Sequence, residues 1–123
     1  MRNKDTQLIW EAFWDEETYW QDGDVKVTIK DVLEIADEPI QVDPNDLKHL
    51  LIPTTRIQAR VDAADLKHPI VVTMRNGEYK EILDGQHRLV KALARSKHLA
   101  RPRISVRVLN LDEAPEEYQQ LFK

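Results

Sequence analysis

The sequence predicts an α+β domain, a small mixed sheet with flanking helices and an extra helical segment in front of it. Three observations carry this expectation. Residues 4–20 place Leu8, Ile9, Ala12, Phe13 and Trp20 near helical spacing. The β-branched run of residues 69–74, PIVVTM, meets an Asn76-Gly77 pair suited to a tight hairpin, and residues 79–83 return as a second strand. Over residues 103–109, Ile104, Val106 and Val108 alternate with Arg103, Ser105 and Arg107, which predicts a third strand with one buried face and one basic, solvent-facing side.

The remaining elements follow in order. The helix over 4–20 carries all three tryptophans, Trp10, Trp14 and Trp20, with Glu11, Asp15, Glu16 and Glu17 around it, so its expected role is packing against the body or a second copy. Gln21-Asp22-Gly23-Asp24 reads as a turn, and Thr28 caps a short helix over 29–36 with Asp31 in its first turn. A short strand over 39–42 leads to Asp43-Pro44, an N-cap and a first-turn proline for a helix over 45–51. Pro53-Thr54-Thr55 ends that helix, and 56–66 is expected to add another helical turn or two. A helix over 86–96 follows the hairpin, and Asp112 is expected to cap a last helix over 113–122 with Pro115 in its first turn. This divides the chain into an N-terminal helical extension, 1–38, and a main domain, 39–123.

Composition narrows the function classes. At 123 residues, 41% hydrophobic and 33% charged, the chain suits one globular core. The absence of cysteine excludes disulfides, thiolate metal sites and a cysteine nucleophile. No apolar run approaches a membrane span and the first residues lack the apolar core of a secretion signal, so the expectation is a soluble cytoplasmic protein with no membrane partner. The net charge of −4 is uneven. Residues 85–111 hold seven cations, Arg88, Lys91, Arg95, Lys97, Arg101, Arg103 and Arg107, and no acid; without them 11 basic residues face 22 acidic ones, or −11. A basic segment on an acidic body attracts phosphate groups, on a nucleotide or on nucleic acid.

The stretch ILDGQHRLVKALA, residues 82–94, is where chemistry is expected. A glycine between strand and helix lets the backbone approach a neighbour closely, and the first amides of the following helix lack internal acceptors, a natural anion seat. Gln86, His87 and Arg88 lie in that first turn and Lys91 one turn beyond His87. Asp84 can orient His87 or Arg88, or hold magnesium. The alternative is purely structural: Asp84 caps the helix, His87 packs and Arg88 pairs with an acid. Tyr79 admits base stacking or packing against its neighbour.

Taken together, PIVV, the hairpin, ILDGQHR and LVKALA resemble the central part of the ParB/sulfiredoxin superfamily, with VDPNDLKHL and ISVRVLNL extending the likeness over roughly residues 40–122. The resemblance implies a ParB/sulfiredoxin-like fold in which Gly85, Gln86, His87, Arg88, Lys91 and Arg60 bind a nucleoside triphosphate, ATP or CTP, with magnesium at Asp84. His87 and Asp84 become the catalytic pair for phosphoryl transfer or hydrolysis, Asp62 or Asp65 a base or magnesium ligand in place of simple caps, and Arg60 a second phosphate contact in place of an exposed charge. Members include CTP-hydrolysing partition proteins, sulfiredoxin and a kinase of free serine, and many phage and plasmid relatives carry the label ParB-like nuclease. Gln86 stands where sulfiredoxin-like proteins have their cysteine, which excludes sulfinic acid reduction. Two rival expectations remain: a nucleic-acid-binding module or nuclease using Arg95, Lys97, Arg101, Arg103 and Arg107, and a non-catalytic interaction protein that dimerises through the tryptophan-rich helix.

Overall fold

The computed structural model describes residues 18–52 and 58–122. The expected helix over 4–20, with Trp10 and Trp14 and the dimer contact assigned to it, lies almost wholly outside the described residues, as do the break at Pro53-Thr54-Thr55 and the first two residues of the helix expected over 56–66.

The fold is α+β, built on a four-stranded sheet whose strands lie in the order β3 (Ile40–Val42), β6 (Ile104–Asn110), β4 (Ile70–Arg75) and β5 (Glu78–Asp84). β4 (Ile70–Arg75) and β5 (Glu78–Asp84) form the hairpin around Asn76-Gly77, where φ is +55° and +79°, the two positive values a type I′ turn requires. β6 (Ile104–Asn110) lies parallel to β4 with Val72 opposite Val108, and β3 (Ile40–Val42) pairs antiparallel to its other side with Val42 opposite Ile104. Helix α3 (Gln86–Ser96) has the boundaries expected from the sequence. Between β3 and the undescribed loop, Pro44–Leu50 forms a 3₁₀ segment rather than an α-helix, capped as expected by Asp43, whose carboxylate accepts the Asn45 N–H at 2.9 Å. Helix α2 (Gln58–Ala63) follows the loop.

Both sheet faces are covered. Ile70, Val72, Ile82, Ile104, Val106 and Val108 point to one side, where Leu89 and Ala92 of α3 and Leu47 of the 3₁₀ segment complete a core. Val71, Leu83 and Leu109 point to the other, against Val27, Ile29, Val32, Leu111 and Phe122. That second layer corrects the picture of a helical extension. Residues 19–28 are a hairpin, β1 (Tyr19–Asp22) and β2 (Val25–Thr28), and helix α1 (Ile29–Ile35) follows with the full capping box of Thr28 and Asp31. Trp20 is thus a strand residue, edge-on to Phe122 with ring centroids 5.3 Å apart. The expected division at residue 38 runs through this shared core.

Asp112 also differs from expectation. β6 ends beside the β4–β5 turn, with the Leu111 N–H on the Met74 carbonyl at 2.8 Å, so the Asp112 carboxylate takes the Asn76 N–H, also at 2.8 Å. Pro115 occupies the N-cap position of the final helix, α4 (Glu116–Leu121). Among the described residues no helix is long and apolar enough to cross a membrane.

Candidate functional site

The Asp84-Gly85-Gln86-His87-Arg88 turn joins the edge strand β5 to α3. Gly85 has φ +109°, and a Cβ there would lie 3.0 Å from Ile70 Cγ1 and 3.2 Å from Ile70 Cα. Only glycine accommodates both that dihedral and that contact. The close approach that requires glycine is therefore to the first residue of β4, which presses the helix start onto the sheet. The first intrahelical bond runs from the Leu89 N–H to the Gly85 carbonyl at 2.9 Å, no side chain caps the helix, and its first turn contains no acid. The positive end of the α3 dipole is left without a carboxylate of its own.

The side chains of this turn have work inside the fold. The Arg88 guanidinium donates to the carbonyls of Pro69 and His68, the latter at 3.3 Å, and to Asp84 Oδ2 at 3.1 Å. The Arg88 and Asp84 side chains are 14% and 35% exposed, so the pair is only partly screened by solvent. Gln86 Oε1 accepts the Ile52 N–H at 3.2 Å while its amide nitrogen faces the Leu50 carbonyl at 3.5 Å, which fastens the end of the 3₁₀ segment to the helix start. Lys91 Nζ donates to the carbonyls of Asp62 and Ala64, both at 2.8 Å, and so satisfies the C-terminal end of α2. His87 is half-buried in the same turn.

Of the residues singled out in the sequence, Asp84 through Arg88 and Lys91 are brought together at one end of α3. Lys91 holds α2 against α3, and α2 carries Arg60, half-buried in its last turn. Among the described residues Arg60 has no hydrogen bond or ion pair of its side chain. Asp62 accepts from Gln58 Nε2 at 2.9 Å, one helical turn away. Asp65 accepts the Lys67 N–H at 2.9 Å, and that bond chiefly holds its carboxyl below the usual range, with the charges of His68, Lys67 and Lys91 adding. Tyr79 packs against the α3-side core.

Magnesium at Asp84 would be held by this one carboxylate together with a nucleotide's phosphates. The Asp84 carboxylate already serves Arg88, and no group of three or more His, Asp or Glu side chains converges among the described residues.

Arg107 corrects the reading of β6 as basic toward solvent. Alternation does turn it away from Val106 and Val108, but α1 covers that face, and its guanidinium donates to the carbonyls of Leu33, Ala36 and Asp37 at 2.9–3.0 Å. It closes the C-terminal end of α1. Apart from Asp84, which the sequence already set beside Arg88, the partners of Arg88, Lys91, Gln86 and Arg107 are backbone groups far along the chain, and no residue pattern announces a carbonyl. No protein-family model, curated protein or solved structure matches this chain.

Proposed function

We propose that this chain is a nucleotide-binding domain of the ParB/sulfiredoxin type that seats phosphate on the start of α3. The observation that carries the reading is the left-handed Gly85 turn into a helix whose first turn has neither a side-chain cap nor an acid. The first-turn amides, those of Gln86 and Arg88 among them, are the donors. Arg88 positions them by bolting the turn to the start of β4 and to Asp84, and Gln86 does the same toward Ile52. Arg60, whose side chain has no hydrogen bond or ion pair among the described residues, is the cation with charge to offer a phosphate. His87 is the titratable group of the turn and the one suited to proton transfer in phosphoryl transfer or hydrolysis. Magnesium, where the chemistry uses it, arrives on the nucleotide.

Calorimetric titration with ATP, CTP, GTP and ADP, with and without magnesium, tests this. The informative variant is Gln86→Glu, which keeps the side-chain shape and the acceptor for Ile52. A carboxylate in the first turn suits the helix dipole by about 0.3–1 kcal/mol, while the donor that faces the Leu50 carbonyl is lost, so stability stays within about 1 kcal/mol of the parent. The same charge repels phosphate, and affinity falls roughly tenfold, about 1.4 kcal/mol. Arg60→Gln weakens binding without changing the fold. If no nucleotide saturates the unaltered protein, the reading is wrong.

A further inference from the structure

Subtracting the cations that the fold engages leaves a distinct group at the other end of α3. Arg95 lies in its last turn, Lys97 is its C-cap, and Arg101 and Arg103 follow in the connection to β6. All four are exposed, together with Ala94, His98, Leu99 and Ala100 around them. Among the described residues Arg95, Lys97 and Arg101 have no hydrogen bond or ion pair of their side chains, and Arg103 donates only to the Pro102 carbonyl, at 3.1 Å. The acid nearest in register is Asp43, which the pairing of Val42 with Ile104 brings beside Arg103. The Asn45 backbone and side-chain amides both donate to its Oδ1 at 2.9 Å, and these bonds, with a smaller contribution from the Arg103 charge, hold its carboxyl below the usual range without an ion pair to Arg103.

Arg95 and Lys97 complement the negative end of the helix dipole, but Arg101 and Arg103 lie beyond the helix and have no such role. Taking the four charges out of the net −4 leaves −8 on the rest of the chain. A polyanion is therefore drawn to this end against a net acidic remainder. Three of the four are arginines, whose planar fork takes phosphate oxygens two at a time. No Phe, Tyr or Trp lies within residues 94–103, so His98 is the one ring there on which an unpaired base could stack, short of the series of platforms that a single strand uses. A duplex offers a rigid array of about one charge per 1.7 Å of axis and asks for no stacking.

We propose that the C-terminal end of α3 and its connection to β6 bind the phosphate backbone of double-stranded nucleic acid through Arg95, Lys97, Arg101 and Arg103, without regard to sequence. The surface lies one helix length, roughly 16 Å, from the Gly85 turn and acts independently of any nucleotide there.

Fluorescence anisotropy with a labelled random-sequence DNA duplex of about 20 base pairs, roughly two helical turns, tests the proposal on the full chain. Four phosphate contacts predict a log–log salt slope of about −3 to −4, or a roughly hundredfold loss of affinity from about 50 to about 200 mM salt. Replacing all four residues by glutamine lowers affinity at low salt by at least about tenfold and flattens the slope. The single variant Arg101→Glu, in an exposed connection, lowers it in the same direction, whereas the control pair Lys26→Gln and Lys80→Gln leaves it unchanged. Circular dichroism melting confirms that each variant is folded. Absence of duplex binding at low salt, or equal binding by the four-residue variant, overturns the proposal. Tighter binding of the corresponding single strand overturns the duplex assignment, and displacement by polyglutamate at equal charge concentration reassigns the surface to an acidic protein.

Discussion

The two ends of α3 carry the same kind of residue and use it in opposite ways. At the N-terminal end Arg88 and Lys91 reach inward and satisfy backbone carbonyls at His68, Pro69, Asp62 and Ala64. At the C-terminal end Arg95, Lys97 and Arg101 stay in solvent with no partner among the described residues. Neighbourhood decides the difference. The helix start is surrounded by chain ends, the close of α2, the approach to β4 and the exit of the 3₁₀ segment, each presenting carbonyls without partners. At the helix end, among the described residues, only Arg103 takes a carbonyl, that of the adjacent Pro102. A basic residue beside a binding motif is thus as readily a strut for the motif as a ligand contact.

Substitutions along α3 sharpen or break this contrast. The largest effect belongs to the hinge itself: Gly85→Ala places a Cβ against Ile70 at an unfavourable φ and should cost roughly 3 kcal/mol in urea unfolding. Arg88→Met strands the Asp84 carboxylate and two carbonyls and should cost about 2 kcal/mol, a figure held down by the partial exposure of Asp84. Lys91→Met should cost about 1 kcal/mol and, in hydrogen exchange, selectively deprotect α2, because only that helix end loses its donor. At the far end, Arg101→Gln should stay within about 0.5 kcal/mol of the parent. A loss at Arg101 comparable to that at Arg88 would erase the distinction between the two ends.

Much of the fold was legible because it depends on local physics. Asn76-Gly77 required positive φ at two successive residues, Thr28 and Asp31 formed their capping box, and the limits of α3 followed from Gly85 on one side and the loss of pattern after Ser96 on the other. The β1–β2 hairpin was legible too, in Asp22-Gly23 followed by Val25 and Val27 alternating with Lys26 and Thr28. The helical spacing read upstream obscured it, by carrying Trp20 into the wrong element.

By itself, then, the sequence determined the α+β class, the motif turn and the strand faces, since backbone sterics and side-chain alternation act over a few residues. Tertiary structure alone decided the fate of the long cations. Alternation aimed Arg107 at the second face of the sheet, but only the packing of α1 there converted a solvent charge into the closure of a helix. Arg88 and Lys91 met their carbonyls for the same reason. A flexible side chain binds whatever unsatisfied group the fold brings within its reach, and that group lies as many as 74 residues away.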